Sequence, residues 1–446
     1  DMQRDFQTQH VERFGFATDA ELIVEMIQVE AIAASGADTD QLIELPPASS
    51  PAVTTVDIYM RGAWQRTPVF ERAGLAAGFT TTGPVLIVDA GSTTVVEPGW
   101  RATVDPRGNL ILTRHAPREA MVAIGTAADP VRLEIFNGLF MSIAEEMGAA
   151  LQHTASSVNI RERLDFSCAL FDATGSLVAN APHMPVHLGS MGESIRTVID
   201  QRGAGRDGRG IRRGDVYALN APYHGGTHLP DITVIMPVFA HAARANSAND
   251  TPDYFVAARG HHADVGGTTP GSMPPDSTSV DEEGVLLDNV LLVDAGRFRE
   301  RELHALLTAG RWPSRNPAQN IADLRAQIAA CAKGAAELTR VTAEYGAAVV
   351  THYMGHVQAN AEEAVRRLLT RLSDGEFAYE MDCGAVVRVA VRIDAAARTA
   401  VVDFTGSSAQ LAGNFNAPLS VVRAAVLYVV RTLIDDKLIP DDVTVQ

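Results

Sequence analysis

The sequence is poor in the features that mark secreted and membrane-spanning proteins. Three of its 446 residues are cysteines, and they lie far apart in the chain, at Cys168, Cys331 and Cys383. This odd, scattered set argues against a disulfide framework and against a zinc site of paired cysteines. No apolar run reaches the length of about 18 residues that a membrane helix needs, and the N-terminal stretch has no apolar signal-peptide core. We expect a cytoplasmic protein with no membrane contact, whose thiols are reduced and lie in the core.

Positive charge is also scarce. The chain has 37 lysine and arginine residues against 54 aspartate and glutamate residues, a net charge of −17. Binding to a phosphate backbone requires clustered positive charge, so we expect no nucleic-acid partner. The one dense basic run, at 205–215, is rich in glycine and is expected to be a solvated loop. The sequence contains neither a GxxxxGK(S/T) phosphate loop nor a GxSxG nucleophile elbow, so it offers no local signature of ATP binding or serine catalysis.

The composition is that of a soluble globular protein, with 46% apolar and 20% charged residues, and the length favours two or three domains. The first 115 residues are predicted to be β-rich, because short apolar runs at 20–35, 55–60, 84–90 and 108–114 are separated by proline and glycine. Residues 116–128 have no periodicity and are interpreted as a linker. A second, larger domain is predicted over 129–446.

The larger domain alternates helix-like and strand-like patterns. Asp129 and Pro130 provide a helix start, and apolar residues then recur at spacings of three and four as far as Met147. Downstream we predict a hairpin around 173–175, a helix from about 190, adjacent strands at 231–240 and 253–260, helices over 318–372 with a break near 345, three strands between 376 and 406, and a buried helix from 418. The expected fold is α+β, with mixed, mainly antiparallel sheets and long helices.

Histidine is concentrated in one part of this domain. Seven of the 13 histidines fall between positions 183 and 262: His183, His187, His224, His228, His241, His261 and His262. His228 and Asp231 lie on a glycine turn that leads into one predicted strand, and His261, His262 and Asp264 close the next. In an antiparallel hairpin the start of one strand lies beside the end of the other, so both sets are expected at one rim.

Imidazoles and carboxylates that converge on a rigid rim form a nitrogen and oxygen site suited to a divalent metal. The alternative is a set of hydrogen-bonded turn residues. Asp165 begins an apolar strand and is a possible fourth ligand, because a lone buried carboxylate is costly. His183 and His187 precede a helix start and are either structural or functional. The loop at 266–285, rich in Gly, Pro and Ser, is either a lid over the site or a solvated connector.

Six ordered stretches resemble the hydantoinase B/oxoprolinase family over residues 129–446: RLDFSCALFD, HMPVHLGSMGESI, GDVYALNAPYHGGTHLPDITVIMPVF, RGHHADVGGTTPGSMPP, EEGVLLDN and GNFNAP. The first 115 residues resemble the C-terminal end of the partner hydantoinase A/oxoprolinase family, through HVERFGF, GPVLIVDAGSTTVVEPGW and DPRGNLIL. An A-type end followed by a B-type start resembles the fused, single-chain members of the family. The insertion HAARANSANDTPD departs from the family pattern and is expected to be an exposed loop.

The resemblance implies a division of labour between two halves. An A-type half, absent from this fragment, would bind ATP and Mg and phosphorylate a lactam oxygen; the B-type half would bind Zn, Mn or Fe and hydrolyse the activated lactam. The implied metal ligands are His228, Asp231 and His261, with Asp165 as the fourth. The other candidate catalytic residues are His262 and Asp264, which would position water or the ligand imidazoles, and His187, which would be a ligand, an outer-shell group or a substrate contact. The expected reaction is conversion of 5-oxo-L-proline to L-glutamate by a homo-oligomer.

Three alternatives remain open on the sequence. The same resemblance also covers N-methylhydantoinases and ATP-dependent ketone carboxylases, in which an activated enol would attack CO₂ or carboxyphosphate. A third possibility is a non-catalytic interaction module. The A-then-B order of the two segments favours the lactam hydrolase.

Overall fold

A computed structural model of the chain describes residues 2–14, 23, 51–60, 63–116, 126–181, 184–187, 189–203, 208–240 and 251–434. These residues divide into two compact units, a smaller one from 23 to 124 and a larger one that combines the rest. Most of the strand run at 20–35, most of the linker, His183 and His241 lie outside the described residues. The domain boundaries proposed above therefore stay predictions.

The chain starts with helix α1 (Met2–Phe14), which groups with the larger unit. In its described residues the smaller unit contains seven strands: β1 (Thr54–Met60), β2 (Ala63–Glu71), β3 (Thr80–Thr82), β4 (Val85–Asp89), β5 (Ser92–Val96), β6 (Trp100–Val104) and β7 (Leu110–Arg114). They form one sheet of order β1-β2-β4-β5 and one of order β3-β6-β7. Alternate residues of these strands, such as Val85 and Ile87, point into a shared apolar core, as the period of two predicts. The β-rich character of this unit is confirmed, but α1 was not predicted.

The larger unit opens on helix α2 (Pro130–Thr154). Asp129 caps it, since its carboxylate accepts a hydrogen bond from the Arg132 backbone N–H, and Pro130 takes the first helical position. The predicted apolar stripe is buried, with Phe136, Phe140 and Met147 almost fully covered. The short helix α3 (Val158–Arg161) follows and leads the chain to the central sheet.

Within the described part of the larger unit, seven antiparallel strands form the central sheet: β8 (Phe166–Asp172), β9 (Leu177–Ala181), β10 (Val216–Leu219), β11 (Asp231–Val238), β12 (Tyr254–His261), β13 (Val290–Asp294) and β14 (Arg297–Phe298). Their order across the sheet is β14-β13-β10-β11-β12-β8-β9. The predicted pairing of β11 with β12 and the predicted hairpin of β8 and β9 are both confirmed. Strands β8, β11 and β12 are buried along almost their whole length, because both faces of the sheet are covered.

Helix α4 (Met191–Val198) covers one face of this sheet and packs Met191, Ile195 and Val198 against strand residues such as Ile235 and Phe255. The loop after β12 contains α5 (Val280–Glu283), and α6 (Glu300–Leu307) follows β14. The other face is covered by α7 (Pro317–Tyr345), which packs on β11, β12 and α2. Helix α8 (Ala347–Leu369) comes next. The predicted break between these long helices is confirmed at Gly346, whose φ is +87°.

The C-terminal part contains a three-stranded antiparallel sheet of β15 (Gly375–Glu380), β16 (Val386–Asp394) and β17 (Thr399–Asp403), followed by helix α9 (Leu419–Leu433). The prediction that α9 is buried is wrong. Tyr428, Val429 and Leu433 are each about half exposed, with 49%, 55% and 48% of their surface accessible. No described residues cover this face of α9. The apolar sequence of the helix therefore could not show whether the helix is buried.

The fold class is confirmed as α+β with mainly antiparallel sheets. Two of the three thiols, Cys168 and Cys331, are buried as expected, whereas Cys383 is exposed. In the part of the chain that the structure describes, no helix combines the length and apolar character needed to cross a bilayer.

Candidate metal centre

The N-terminal end of β11 and the C-terminal end of β12 meet at one rim of the central sheet. Asp231 and His261 are directly paired in the ladder, so their side chains leave the same face. His228 reaches the same point from the turn before β11, and its Nδ1 atom lies 3.3 Å from Asp231 Oδ2. The expected convergence of the two histidine sets is therefore seen for His228, Asp231 and His261.

Two further segments complete the cluster. Asp165 immediately precedes β8, which lies on the other side of β12, and its backbone carbonyl accepts a hydrogen bond from the His261 N–H at 3.0 Å. The residue before it, Leu164, has a φ of +55°, a conformation that non-glycine residues rarely adopt. His187 comes from a one-turn 3-10 helix, is fully buried, and places its Nε2 atom 3.3 Å from Asp231 Oδ2.

Asp231 is the centre of this arrangement. Its Oδ1 atom lies 3.1 Å from His261 Nδ1, and its Oδ2 atom accepts a hydrogen bond from Thr227 Oγ1 at 2.6 Å. His228 Nε2 is 3.2 Å from His261 Nδ1, and Asp165 Oδ2 is 3.7 Å from that same nitrogen. The Asp231 carboxylate is 1% exposed, whereas 37% of the His228 side chain is accessible. A small molecule would therefore reach the cluster from the side of His228.

Burial and charge act in opposite directions on these groups. Burial favours the neutral form of Asp231, but hydrogen bonds from His187 and His261 outweigh it and hold the pKa of this carboxyl well below its usual range. Burial lowers the pKa of His228 despite the attraction of Asp231. Burial also opposes the charged form of His261, but the hydrogen bond and charge of Asp231 raise its pKa. Metal ligands require an ionised carboxylate and neutral imidazoles. Asp231 and His228 are shifted toward that state, whereas His261 would have to release the proton that Asp231 favours.

The donor atoms suit a divalent cation. His228, Asp231 and His261 bring one donor atom each within 4.8 Å of one another, and so do Asp165, His187 and Asp231. Donor atoms bound at about 2.0–2.1 Å in a tetrahedron stand roughly 3.4 Å apart, and the spacings around His261 Nδ1 run from 3.1 to 3.7 Å. Imidazole and carboxylate ligands of this kind accept Zn, Mn or Fe.

A polar layer lies directly behind the cluster, one step further along the same face of the sheet. Thr233 pairs with Arg259, and Arg259 pairs with Ser167 on β8. His187 Nδ1 is 3.1 Å from the Ser167 hydroxyl, so this layer orients the imidazole that faces Asp231. Arg259 is fully buried, and burial lowers its pKa to about 10, which leaves the guanidinium charged at neutral pH.

The structure does not bring His262 to the cluster. Its ring is fully buried against α7, with Nε2 3.0 Å from Gln327 Oε1 and Nδ1 3.1 Å from Asn320 Nδ2. Gln327 in turn donates to the backbone carbonyls of Ile232 and Ala258 at 2.8 Å. His262 therefore joins α7 to the strands that hold the cluster, in place of the predicted contact with water or ligand imidazoles.

Asp264 is also placed elsewhere. Its carboxylate accepts hydrogen bonds from the backbone N–H groups of Gly266 and Gly271 and pairs with Arg315 at 2.8 Å. These contacts fix the start of the loop 266–285, which also contains α5. The role of this loop as a lid stays a prediction.

Several residues of the site were not predicted from the sequence. Thr227, Ser167, Thr233 and Arg259 carry no metal-ligand signature, because hydroxyl and guanidinium groups in strands are commonly structural. The available signal was the strand period: Arg259 precedes His261 by two residues, and Thr233 follows Asp231 by two, so each had to lie on the same face as its neighbour.

Residues 129–442, more than half of the chain, match the family profile "Hydantoinase B/oxoprolinase". The chain belongs to the hydantoinase B/oxoprolinase family. Residues 20–114 match a second profile, "Hydantoinase/oxoprolinase C-terminal domain". The predicted resemblance to the two families is thus confirmed, in the predicted order.

A named protein and two solved structures are similar to this chain. The protein 5-oxoprolinase 1 of Arabidopsis thaliana is 38% identical over 460 residues, which cover 98% of this chain and 35% of the plant protein. The ATP-dependent caprolactamase from Pseudomonas jessenii matches with a TM-score of 0.56 and 27% identity over 67% of this chain and 50% of its own. A nucleotide-free acetone carboxylase shares the fold, with a TM-score of 0.59 and 18% identity over 71% of this chain and 42% of its own.

Proposed function

We propose that this chain provides the hydrolytic site of an ATP-dependent enzyme that opens a cyclic amide, with 5-oxo-L-proline as the substrate and L-glutamate as the product. The observation that carries the proposal is the cluster of His228, Asp231 and His261 at an accessible rim. The names of the relatives support the substrate class, since both 5-oxoprolinase and caprolactamase describe enzymes of cyclic amides.

A divalent cation would be held by His228, Asp231 and His261, with Asp165 as a fourth donor. When bound, such a cation supplies Lewis acidity and lowers the pKa of coordinated water. Asp231 presents Oδ1 toward His261, because Oδ2 is fixed by Thr227 and faces His187. Burial of Asp231 and His187 excludes bulk water from the inner side of the cluster and leaves His228 at the open side.

The chemical problem is the stability of an unstrained lactam. Phosphorylation of its oxygen makes the ring carbon susceptible to attack by water. The C–N bond of the adduct then breaks and the nitrogen leaves as the amine, and hydrolysis of the remaining acyl phosphate by a second water releases the carboxylate and phosphate. We assign this step, with its ATP and Mg, to a hydantoinase A-type ATPase half that is fused to this chain or supplied as a separate chain. The present chain then binds the activated ring at the mouth of the cluster and orients it toward the ligand residues.

The test combines this chain with an A-type half and offers a panel of lactams, hydantoins and ketones in the presence of ATP. We expect ADP release that depends on 5-oxoproline and is accompanied by glutamate. ADP release that depends on a ketone and bicarbonate would instead indicate a carboxylase, and no ADP release with any substrate would indicate a non-catalytic interaction module. Elemental analysis of this chain alone, purified without chelator, should find about one divalent metal per chain, as expected for a site with three or four protein ligands and an open position for water.

A further inference from the structure

Arg259 is one of the largest fully buried side chains among the described residues, and its direct partners are neutral. Its Nε atom donates to Thr233 Oγ1 at 2.7 Å, Nη1 donates to Ser190 Oγ, and Nη2 donates to Ser194 Oγ and to the Gly225 carbonyl at 2.9 Å each. A buried guanidinium usually faces a carboxylate. Here the rigid fork of donors instead contacts hydroxyl and carbonyl oxygens from three separate elements.

The two serine hydroxyls connect Arg259 with the segments that carry the metal donors. Ser190 donates to the backbone carbonyl of His187 at 3.2 Å, and Ser194 donates to the carbonyl of Gly225 at 2.8 Å. Gly225 opens the turn that continues to Thr227, His228 and Asp231. Arg259 therefore lies between the segment of His187 and the segment of His228, with one hydroxyl on each side.

The Gly225 turn is pressed against α4. Gly225 has a φ of +96°, and a Cβ atom at this position would overlap the backbone nitrogen of Ser194. A Cβ atom on Gly226 would overlap the carbonyl oxygen of Asn220. The turn can approach α4 this closely only because Gly225 lacks a side chain, and the missing side chain of Gly226 lets the turn close against Asn220. The approach to α4 brings the Gly225 carbonyl within reach of Arg259.

We propose that Arg259 is a positioning residue for the metal centre: its guanidinium fixes the two donor-carrying segments relative to each other, so that their side chains are arranged to bind a divalent cation before the cation arrives. The inference rests on the proposed function, because it assumes that the cluster binds a metal. It assigns a task to a residue that contacts neither the donor atoms nor the substrate.

The experiment measures the affinity of the full chain for Zn²⁺, Mn²⁺ and Co²⁺ by competition with a chelator, together with the visible spectrum of the Co²⁺ form. Arg259→Lys keeps the positive charge but loses the planar fork. Loss of a group that orients metal ligands typically weakens binding by about 10–100-fold, and we expect a weakening of that size with a changed Co²⁺ spectrum.

The matched control is Arg209→Lys. Arg209 is also poorly exposed and multiply bonded, to Asp215 and Asp294, but it lies at the other end of the strands from Asp231. Both substitutions should lower the unfolding temperature, whereas only Arg259→Lys should change metal affinity and the spectrum. A purely structural role of Arg259 would give the two variants the same pattern.

Ser190→Ala and Ser194→Ala provide a milder test, because each removes one hydroxyl link and leaves Arg259 in place. Each is expected to weaken metal binding by about 10-fold, the lower end of the range for outer-shell groups. If Arg259→Lys, Ser190→Ala and Ser194→Ala all fold and keep the wild-type metal affinity and Co²⁺ spectrum, the positioning role is overturned. It is also overturned if none of the three variants folds, because Arg259 and its partners then serve the stability of the fold. A wild-type chain that binds none of the three cations would overturn the proposed function itself.

Discussion

Asp231 has two carboxylate oxygens with different partners, and this makes it the most informative single residue of the site. Oδ1 faces His261, while Oδ2 accepts from Thr227 and faces His187. In Asp231→Asn one of these oxygens becomes an NH₂ group, which can neither bind a cation nor accept a hydrogen bond. Either orientation of the amide therefore disrupts the cluster.

We predict that Asp231→Asn separates the two chemical steps in the enzyme assayed with its ATPase half. Glutamate formation should fall by roughly 100-fold or more, because a direct ligand is lost rather than a group that orients one. ATP cleavage dependent on 5-oxoproline should fall less, because activation can still occur and the activated lactam can decay unproductively. The measurement is the ratio of ADP to glutamate, which should rise in the variant.

Asp172→Asn is the matched control, since Asp172 pairs with Tyr254 at the end of β12 opposite to His261. It should keep the wild-type ratio, and circular dichroism should show that both variants fold. Equal loss of ADP and glutamate in Asp231→Asn would mean that the two steps are tightly coupled. Full activity would mean that Asp231 is only a turn residue.

The positions of single site residues were predictable where the alternation of strand side chains between the two faces of the sheet was taken into account. His261 and His262 are neighbours in sequence and both were candidates, but adjacent strand residues point to opposite faces. His261 accordingly faces Asp231, whereas His262 faces α7 and Gln327. The sequence could not indicate the role of Arg259, because its partners Ser190, Ser194 and Gly225 are 34 to 69 residues away.

Among the elements, the turn before β11 determines where two ligand residues lie. Gly225 and Gly296 have similar φ angles, +96° and +90°, but a Cβ atom on Gly296 would meet nothing within 4 Å. A comparison of Gly225→Ala with Gly296→Ala therefore separates the effect of backbone strain, which both variants share, from the effect of steric overlap, which only Gly225→Ala has. An alanine at either site costs about 1–2 kcal/mol for the left-handed conformation.

We predict that Gly225→Ala also loses metal affinity, whereas Gly296→Ala does not. The added methyl group must push the turn away from Ser194, which costs a further 1–3 kcal/mol or so as in other overpacked sites and displaces His228 and Asp231. Urea unfolding measures the stability of both variants, and chelator competition measures their metal affinity. Equal affinities in the two variants would show that the ligand turn tolerates displacement from α4.

Elements with a strong local periodicity were predicted well. In α2, the cap at Asp129, the first-turn Pro130 and the apolar stripe from Phe136 to Met147 all lie where the sequence predicts them. Elements whose environment depends on distant parts of the chain were not. Helix α1 has a weak apolar pattern and was missed. Helix α9 has an apolar sequence but an exposed outer face, because burial depends on what packs against a helix and not on its composition.

At the scale of the whole molecule, the candidate centre lies entirely within the larger unit. Strands β8, β11 and β12 are adjacent in the central sheet, although β9 and β10 separate β8 from β11 along the chain. The adjacency of β11 and β12 followed from their proximity in sequence. The placement of β8 beside β12, which brings Asp165 to His261, is a long-range pairing that local patterns do not specify.

The last prediction concerns the division of labour that this arrangement implies. Under the proposed function, the cluster acts on a ring that the A-type half has already activated. We therefore predict that the purified chain, loaded with metal, neither releases ADP from ATP nor converts 5-oxoproline to glutamate. Addition of an A-type ATPase half should produce both activities together, and metal analysis of the same sample controls for an empty site.

ADP release by the chain alone would contradict the assignment of ATP to the other half. Glutamate formation without ATP would show that the cluster opens an unactivated lactam, so that phosphorylation has no chemical role in this site.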